Sequence, residues 1–85
     1  MGNIGASQRR NAPEIGSRLR VLRETNGKSQ QVVADFCCIH QTTLGGYERG
    51  LYLPGLDVLS RLADYYSVSL DYLLGRTDER KNLNV

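Results

Sequence analysis

The sequence has little of what a membrane protein, a disulfide-rich secreted protein or a histidine-dependent enzyme needs. Its 85 residues include one histidine, two prolines and two cysteines. No run approaches the roughly 18 uninterrupted apolar residues of a membrane span, and residues 1–13 lack the apolar segment of a secretory signal. The two cysteines, Cys37 and Cys38, are adjacent and make no disulfide framework. We therefore expect a protein of the reducing cytoplasm with no membrane association.

The residues of an enzyme or a metal site are also missing. The one histidine belongs to no plausible Ser-His-Asp set, and the sequence contains no phosphate-binding loop of the Walker type. Cys37, Cys38 and His40 lie within four residues, but three candidate ligands on one short segment do not close a tetrahedral site. At 9.5 kDa the chain allows one small domain without an evident small-molecule pocket. We expect no enzyme, no metal and no cofactor, with Cys37 as a small core residue.

Charge is present but unevenly distributed along the chain. Residues 1–28 carry six basic side chains against two acidic ones, a net charge of +4, whereas residues 29–75 carry two against five, or −3. A basic amino-terminal face is one interpretation, and ordinary solvated charge is the other. The overall pI of about 8.7 lies below the usual electrostatic footprint of a nucleic-acid-binding domain, so charge alone does not decide between them.

The hydrophobic spacing predicts an all-α fold, a compact bundle of five short helices without a sheet. Residues 1–13 have no apolar period and read as a flexible arm or a leader, and Pro13 suits the start of the first helix. Residues 14–75 form the predicted domain, and residues 76–85 form a polar tail. Ser29 and Ser69 are typical N-caps, and Gly27, Gly50 and Gly75 are typical helix stops. The predicted core consists of Leu19, Leu22, Val33, Ala34, Leu44, Leu59, Leu62 and Leu73.

Residues 29–50 have the length and pattern of a helix-turn-helix, with predicted helices at 30–37 and 41–48. Ala34 is small where two such helices cross, and Leu44 fills the gap between them. Residues 15–75 resemble the DNA-binding domain of the lambda-repressor and Cro type, also called the XRE family. The segments that carry the resemblance are IGSRLRVLRE, SQ-x-x-V-A, YERG, the LP before the fourth helix, and VSLDYLLGRTD.

The resemblance implies roles for named residues. Gln41, the first residue of the third helix, matches the family's base-reading glutamine, and an amide of this kind bonds adenine N6 and N7 together. Gln30 matches a glutamine that grips a phosphate and braces the reader. Arg23 and Glu48 match a structural ion pair between the first and third helices. Thr42, Thr43 and Gly46 match further DNA-contact positions.

Three features depart from the family pattern. Cys38 stands where a turn glycine with positive φ is usual, and His40 is a poorer N-cap than Ser or Thr. Gly45 and Gly46 lie within the third helix, where each glycine costs up to about 1 kcal/mol relative to Ala. They remove side chains that would read bases, and the polar or small face of the third helix is predicted as Gln41, Thr42, Gly45, Gly46 and Arg49.

The sequence therefore predicts a sequence-specific regulator of transcription that binds double-stranded DNA as a homodimer, with the third helix in the major groove. An alternative is a protein-interaction module on the same fold, such as an antitoxin-like or bridging subunit. Exposure of Leu51, Tyr52 and Leu53 would favour that alternative. The tyrosines Tyr65, Tyr66 and Tyr72 are core residues in one interpretation and, with Val58 or Leu70, a dimer face in the other.

Overall fold

Five helices in chain order make up the fold. The computed structural model describes the backbone of residues 4–80 and the side chains of residues 11–80. Within that part of the chain the structure is all-α and contains no strand, as predicted. The helices are α1 (Ile4–Thr25), α2 (Gln30–Cys37), α3 (Gln41–Glu48), α4 (Leu56–Tyr66) and α5 (Leu70–Leu73).

Local signals account for most of the helix boundaries. The Ser29 hydroxyl accepts a hydrogen bond from the Val32 amide at 3.2 Å and caps α2. Ser69 caps α5 in the same way through the Tyr72 amide at 3.0 Å. Gly27 follows α1 with φ at 66°, a left-handed conformation that glycine adopts without a steric cost. His40 precedes α3 without a side-chain cap bond, which agrees with its poor capping chemistry.

The first helix begins earlier than the sequence predicted. We expected an arm up to Pro13 and a helix from there, but α1 starts at Ile4 and contains Pro13. A proline inside a helix removes one hydrogen bond and crowds the preceding turn, so it is a common signal for a helix start. Here Pro13 lies against Gly50 at the end of α3, and the neighbouring Ala12 is buried. Packing on α3 therefore offsets the lost hydrogen bond.

The core lies between α1, the α2–α3 pair and α4. All eight side chains that the sequence assigned to the core are buried, and Ile15, Cys37, Val58, Ala63 and Val68 join them. The helical spacing of Leu56 with Leu59 and Leu62 predicts one buried stripe on α4, but Leu56, the first residue of the helix, is 70% exposed. Val58 is buried instead, and it is therefore no part of an exposed dimer face. Tyr65, Tyr66 and Tyr72 are half-buried against the core.

Two contacts hold the helix-turn-helix on the rest of the fold. Gly16 of α1 lies directly on the backbone of α3, where an added Cβ would come within 2.7 Å of the Glu48 carbonyl oxygen and closer still to that of Tyr47. On the other side, Arg61 of α4 donates to the Cys37 carbonyl at 3.1 Å, which places a cation at the negative end of α2. These contacts attach α3 to α1 and α2 to α4.

The end of the described chain returns to α5. The Ser69 amide donates to the Arg80 carbonyl at 2.7 Å. The Arg18 and Arg80 guanidinium groups lie 5.4 and 5.6 Å from the Tyr72 ring centroid, a cation–π geometry. Residues 76–80 of the predicted polar tail thus pack back against α5. Residues 81–85 lie outside the described part. Across residues 4–80, no helix combines the length and the apolar character that crossing a membrane requires.

Candidate nucleic-acid interface

The turn between α2 and α3 brings two short helices together around small buried side chains. Ala34 and Leu44 are fully buried between them. Cys38, the first turn residue, has φ at 59° and ψ at 40°, the left-handed conformation that the resemblance predicts for this position. A non-glycine residue pays a modest steric cost there, and the Cys38 amide donates to the Asp35 carbonyl at 3.2 Å. The turn geometry is thus kept despite the cysteine.

A chain of hydrogen-bonded side chains runs from the core to the exposed start of α3. Arg23 of α1 donates through Nε and Nη2 to the two carboxylate oxygens of Glu48, at 2.7 and 3.0 Å. Gln30, the first residue of α2, donates its amide Nε2 to Glu48 Oε1 at 3.0 Å. Gln41, the first residue of α3, in turn donates Nε2 to Gln30 Oε1 at 2.5 Å. The four side chains therefore bind one another in the order Arg23, Glu48, Gln30, Gln41.

The Arg23–Glu48 end of this hydrogen-bonded chain of side chains is shielded from water. The Glu48 side chain is 3% exposed and that of Arg23 is 15% exposed. A buried carboxylate is tolerated only when it is paired and its lone pairs are used, and Glu48 accepts three hydrogen bonds. The hydrogen bond to Glu48 raises the pKa of Arg23. Arg23 also donates to the Lys28 carbonyl at 3.0 Å, which ties the pair to the loop before α2.

At the outer end of this hydrogen-bonded chain of side chains, part of the Gln30 amide and part of the Gln41 amide remain available. An amide side chain offers two N–H donors and a carbonyl oxygen acceptor. Gln41 is exposed and spends one N–H on Gln30, so its second N–H and its oxygen point to no partner in the described chain. Gln30 spends its oxygen on Gln41 and one N–H on Glu48, and keeps the other N–H. Both glutamines are thus held in position and keep hydrogen-bonding groups available for another molecule.

The other predicted contact residues are distributed differently than expected. Thr42 is exposed and Thr43 is half-buried on α3. Gly45 and Gly46 are buried, so the predicted exposed face was wrong at these two positions. Gly45 is covered by Arg49, because a Cβ there would lie 3.1 Å from its Nη1, and by the Gln30 amide at 3.6 Å. Neighbouring side chains reach over the glycines, which sequence spacing alone does not reveal.

Two residues join this surface that were not assigned as site residues. Arg49 was placed on the face of α3 without a role, and its guanidinium lies over Gly45 beside the Gln30 amide. Tyr52, in the linker to α4, lies on Gly46 and is 56% exposed. The signal for Arg49 was the YERG segment. No signal in the sequence pointed to Tyr52, because its position depends on how the linker folds back.

The cysteines and the histidine near the turn do not come together as a metal site. Among the residues that the structure describes, no three His, Cys, Asp or Glu side chains are grouped so that they could hold an ion. Cys37 is fully buried, and burial raises the pKa of its thiol, so it stays protonated and unreactive. Cys38 is exposed at the turn.

Comparison with known proteins gives the same assignment. A family model described as a helix-turn-helix domain matches residues 14–74. The chain is 43% identical over 72 residues to YobD, an uncharacterized HTH-type transcriptional regulator of Bacillus subtilis, covering 78% of this chain and 64% of YobD. It is 37% identical over 67 residues to the HTH-type transcriptional regulator ImmR of the same species, covering 79% of this chain and 53% of ImmR. The chain thus spans between about half and two thirds of these relatives.

A solved structure is similar as well. The restriction-modification controller protein C.AhdI from Aeromonas hydrophila superposes with a TM-score of 0.69 at 31% sequence identity, over 73% of this chain and 94% of C.AhdI. The family match and the similar solved structure therefore agree with the resemblance that the quoted segments indicate. The chain belongs to the helix-turn-helix domain family, in its lambda-repressor and Cro-like (XRE) branch.

Proposed function

We propose that this chain is the DNA-binding part of a transcriptional regulator and that it reads duplex sequence with α3 in the major groove. The observation that carries the proposal is Gln41, an exposed amide at the amino end of α3 that Gln30 holds in place at 2.5 Å. In a helix-turn-helix this end of the second helix meets the base edges. The relatives named as HTH-type transcriptional regulators support the same function.

The free groups of Gln41 match the major-groove edge of adenine. Adenine presents N6 as a donor and N7 as an acceptor. The Gln41 oxygen would accept from N6, and its second N–H would donate to N7, while the first N–H stays on Gln30. Because the Gln30 bond fixes the amide before binding, less side-chain entropy is lost when the complex forms.

Gln30 would bind the phosphate backbone. It is the first residue of α2, where free backbone N–H groups and the helix dipole favour an anion. Its remaining N–H would donate to a phosphate oxygen. Thr42 and Thr43 would add contacts next to Gln41, and Lys28 and Arg49, both exposed, would supply the cations that release counterions from DNA. Binding needs no cofactor in this scheme, and the cytoplasm is where such a regulator would act.

We expect the protein to bind as a two-fold dimer, because one helix-turn-helix of this size contacts too few base pairs for a regulator. The two α3 helices would then lie about 34 Å apart, one turn of the duplex. A footprint and the stoichiometry on duplexes with one or two half-sites would measure this. One protein per duplex on a single half-site would contradict it.

A second candidate function has one observation in its favour. Leu51, Tyr52 and Leu56, around the α3–α4 linker, are 59%, 56% and 70% exposed. Exposed apolar side chains close together are typical of protein-interaction sites, so a module that binds another protein is the alternative. It predicts that no duplex sequence is preferred and that the glutamines are dispensable.

Selection of bound duplexes from a random pool, followed by titrations, tests the proposal. Gln41→Ala should cost about 1–3 kcal/mol on the selected duplex and much less on a scrambled one. Gln30→Ala should weaken both, since it removes a phosphate contact and loosens Gln41. The matched control is Gln31→Ala, an exposed glutamine of α2 whose amide bonds Asp35 at 2.8 Å instead. Equal losses for Gln41→Ala on both duplexes would refute base reading, and a pool without enrichment would favour the interaction module.

A further inference from the structure

The linker after α3 places an aromatic ring in the space of a missing side chain. An ideal Cβ built on Gly46 would lie 2.8 Å from Cδ2 of Tyr52 and in still closer contact with Cε2. Real Cβ atoms do not approach other atoms so closely, so only glycine at position 46 leaves room for the ring. The Tyr52 ring also meets Tyr47 edge to face, with centroids 6.4 Å apart and an angle of 87°.

Gly46 lies on the same side of α3 as an exposed contact candidate. Residues four apart are neighbours on a helix surface, so Gly46 is one turn beyond Thr42. The ring on Gly46 therefore extends the stripe that begins with Thr42, at the end of α3 away from Gln41. Tyr52 remains 56% exposed although its ring is packed on one side. The linker thus supplies a side chain where α3 has none.

We propose that Tyr52 is a DNA-contact residue that donates its hydroxyl to a backbone phosphate. Gly46 leaves the space in which the Tyr52 ring packs. This inference rests on the function proposed above. Tyrosine is one of the side chains that commonly bond phosphate oxygens, and its rigid ring loses little entropy on binding. A phosphate is the expected partner because base edges are met near the amino end of the helix, and Gly46 lies beyond it. The space needed by the Tyr52 ring also explains why α3 contains Gly46, although a glycine weakens the helix.

Tyr52→Phe is the sharpest test, because it removes the hydroxyl and keeps the packed ring. The affinity should fall about tenfold on both the selected and the scrambled duplex, as expected for a hydrogen bond to a charged group. The salt dependence should not change, since no charge is removed. Tyr72→Phe is the matched control, as Tyr72 lies on α5 outside the helix-turn-helix. Thermal melting of each variant checks that the fold is intact.

Gly46→Ala tests whether the position of the Tyr52 ring depends on the space that the glycine leaves. The new methyl group should displace the ring and reduce binding as much as Tyr52→Phe does, whereas adding Gly46→Ala to Tyr52→Ala should cost no further affinity. Wild-type affinity for Tyr52→Phe on both duplexes would overturn the proposal while leaving the DNA-binding function intact. A loss confined to the selected duplex would overturn the phosphate assignment, because it would mean that Tyr52 contacts a base. A wild-type protein that prefers no duplex would refute both proposals.

Discussion

Replacing Arg23 with methionine should destabilise the fold far more than the same replacement at the neighbouring Arg20. Methionine keeps an unbranched stem of similar length, so the change removes mainly the guanidinium group. Glu48 would then lose the hydrogen bonds at 2.7 and 3.0 Å and keep only the one from Gln30. A carboxylate that is 3% exposed would remain without a countercharge.

The magnitude follows from the burial of the pair. Removing one partner of a buried ion pair costs about 3–5 kcal/mol. Because the Arg23 side chain is 15% exposed and water can enter the vacated space, we expect the lower end, about 3 kcal/mol. For a domain of this size, each kcal/mol lowers the melting temperature by about 4–8 °C, which gives a loss of roughly 12–24 °C. This is a large part of a total stability of about 5–15 kcal/mol.

Thermal and urea denaturation of both variants measure the effect. The Arg20–Glu24 pair, at 3.1 Å, has side chains that are 64% and 54% exposed, so Arg20→Met should cost less than about 1 kcal/mol. Adding Glu48→Gln to Arg23→Met should recover part of the loss, because the uncompensated charge is removed. If Arg23→Met and Arg20→Met melt together, or if Glu48→Gln gives no recovery, an unpaired buried charge is not the cause and the reasoning fails.

Two further predictions concern packing and alkaline pH. Gly16→Ala should destabilise the protein by about 1–3 kcal/mol in spite of the better helix propensity of alanine, since its Cβ would press on the Glu48 carbonyl oxygen; urea denaturation beside the exposed Ser17→Ala measures this, and a stabilised Gly16→Ala would contradict it. Burial, assisted by the negative charge of Glu48, raises the pKa of Tyr66, so the unfolded chain releases this proton first and stability falls as the pH rises above about 10. Tyr66→Phe should lose less stability than the wild type between pH 8 and pH 10.5, and equal losses would count against the shift.

Much of the fold was predictable because its signals are local. The boundaries of α2, α3 and α4 follow from the apolar spacing and from stop and cap residues next to the helices, such as Ser29. A hydroxyl that bonds an amide three residues away acts within one turn, so no tertiary information is needed. The resemblance to the lambda-repressor type supplied the expectation that Arg23 and Glu48 pair, and the structure forms this pair at 2.7 Å.

What only the tertiary structure decided are contacts between residues far apart in sequence. The resemblance implied that Gln30 braces Gln41, but the bond from Gln30 to Glu48, 18 positions away, was not expected. This bond, which joins the glutamines to the buried ion pair, exists only once α2 and α3 are packed. Helical spacing counted Gly46 as exposed, but the ring of Tyr52 covers it. The passage of α1 through Pro13 likewise involves a contact between distant residues, because Pro13 packs against Gly50 at the end of α3. Periodicity describes one helix at a time, whereas each of these features arises from a neighbouring segment that closes over the helix surface.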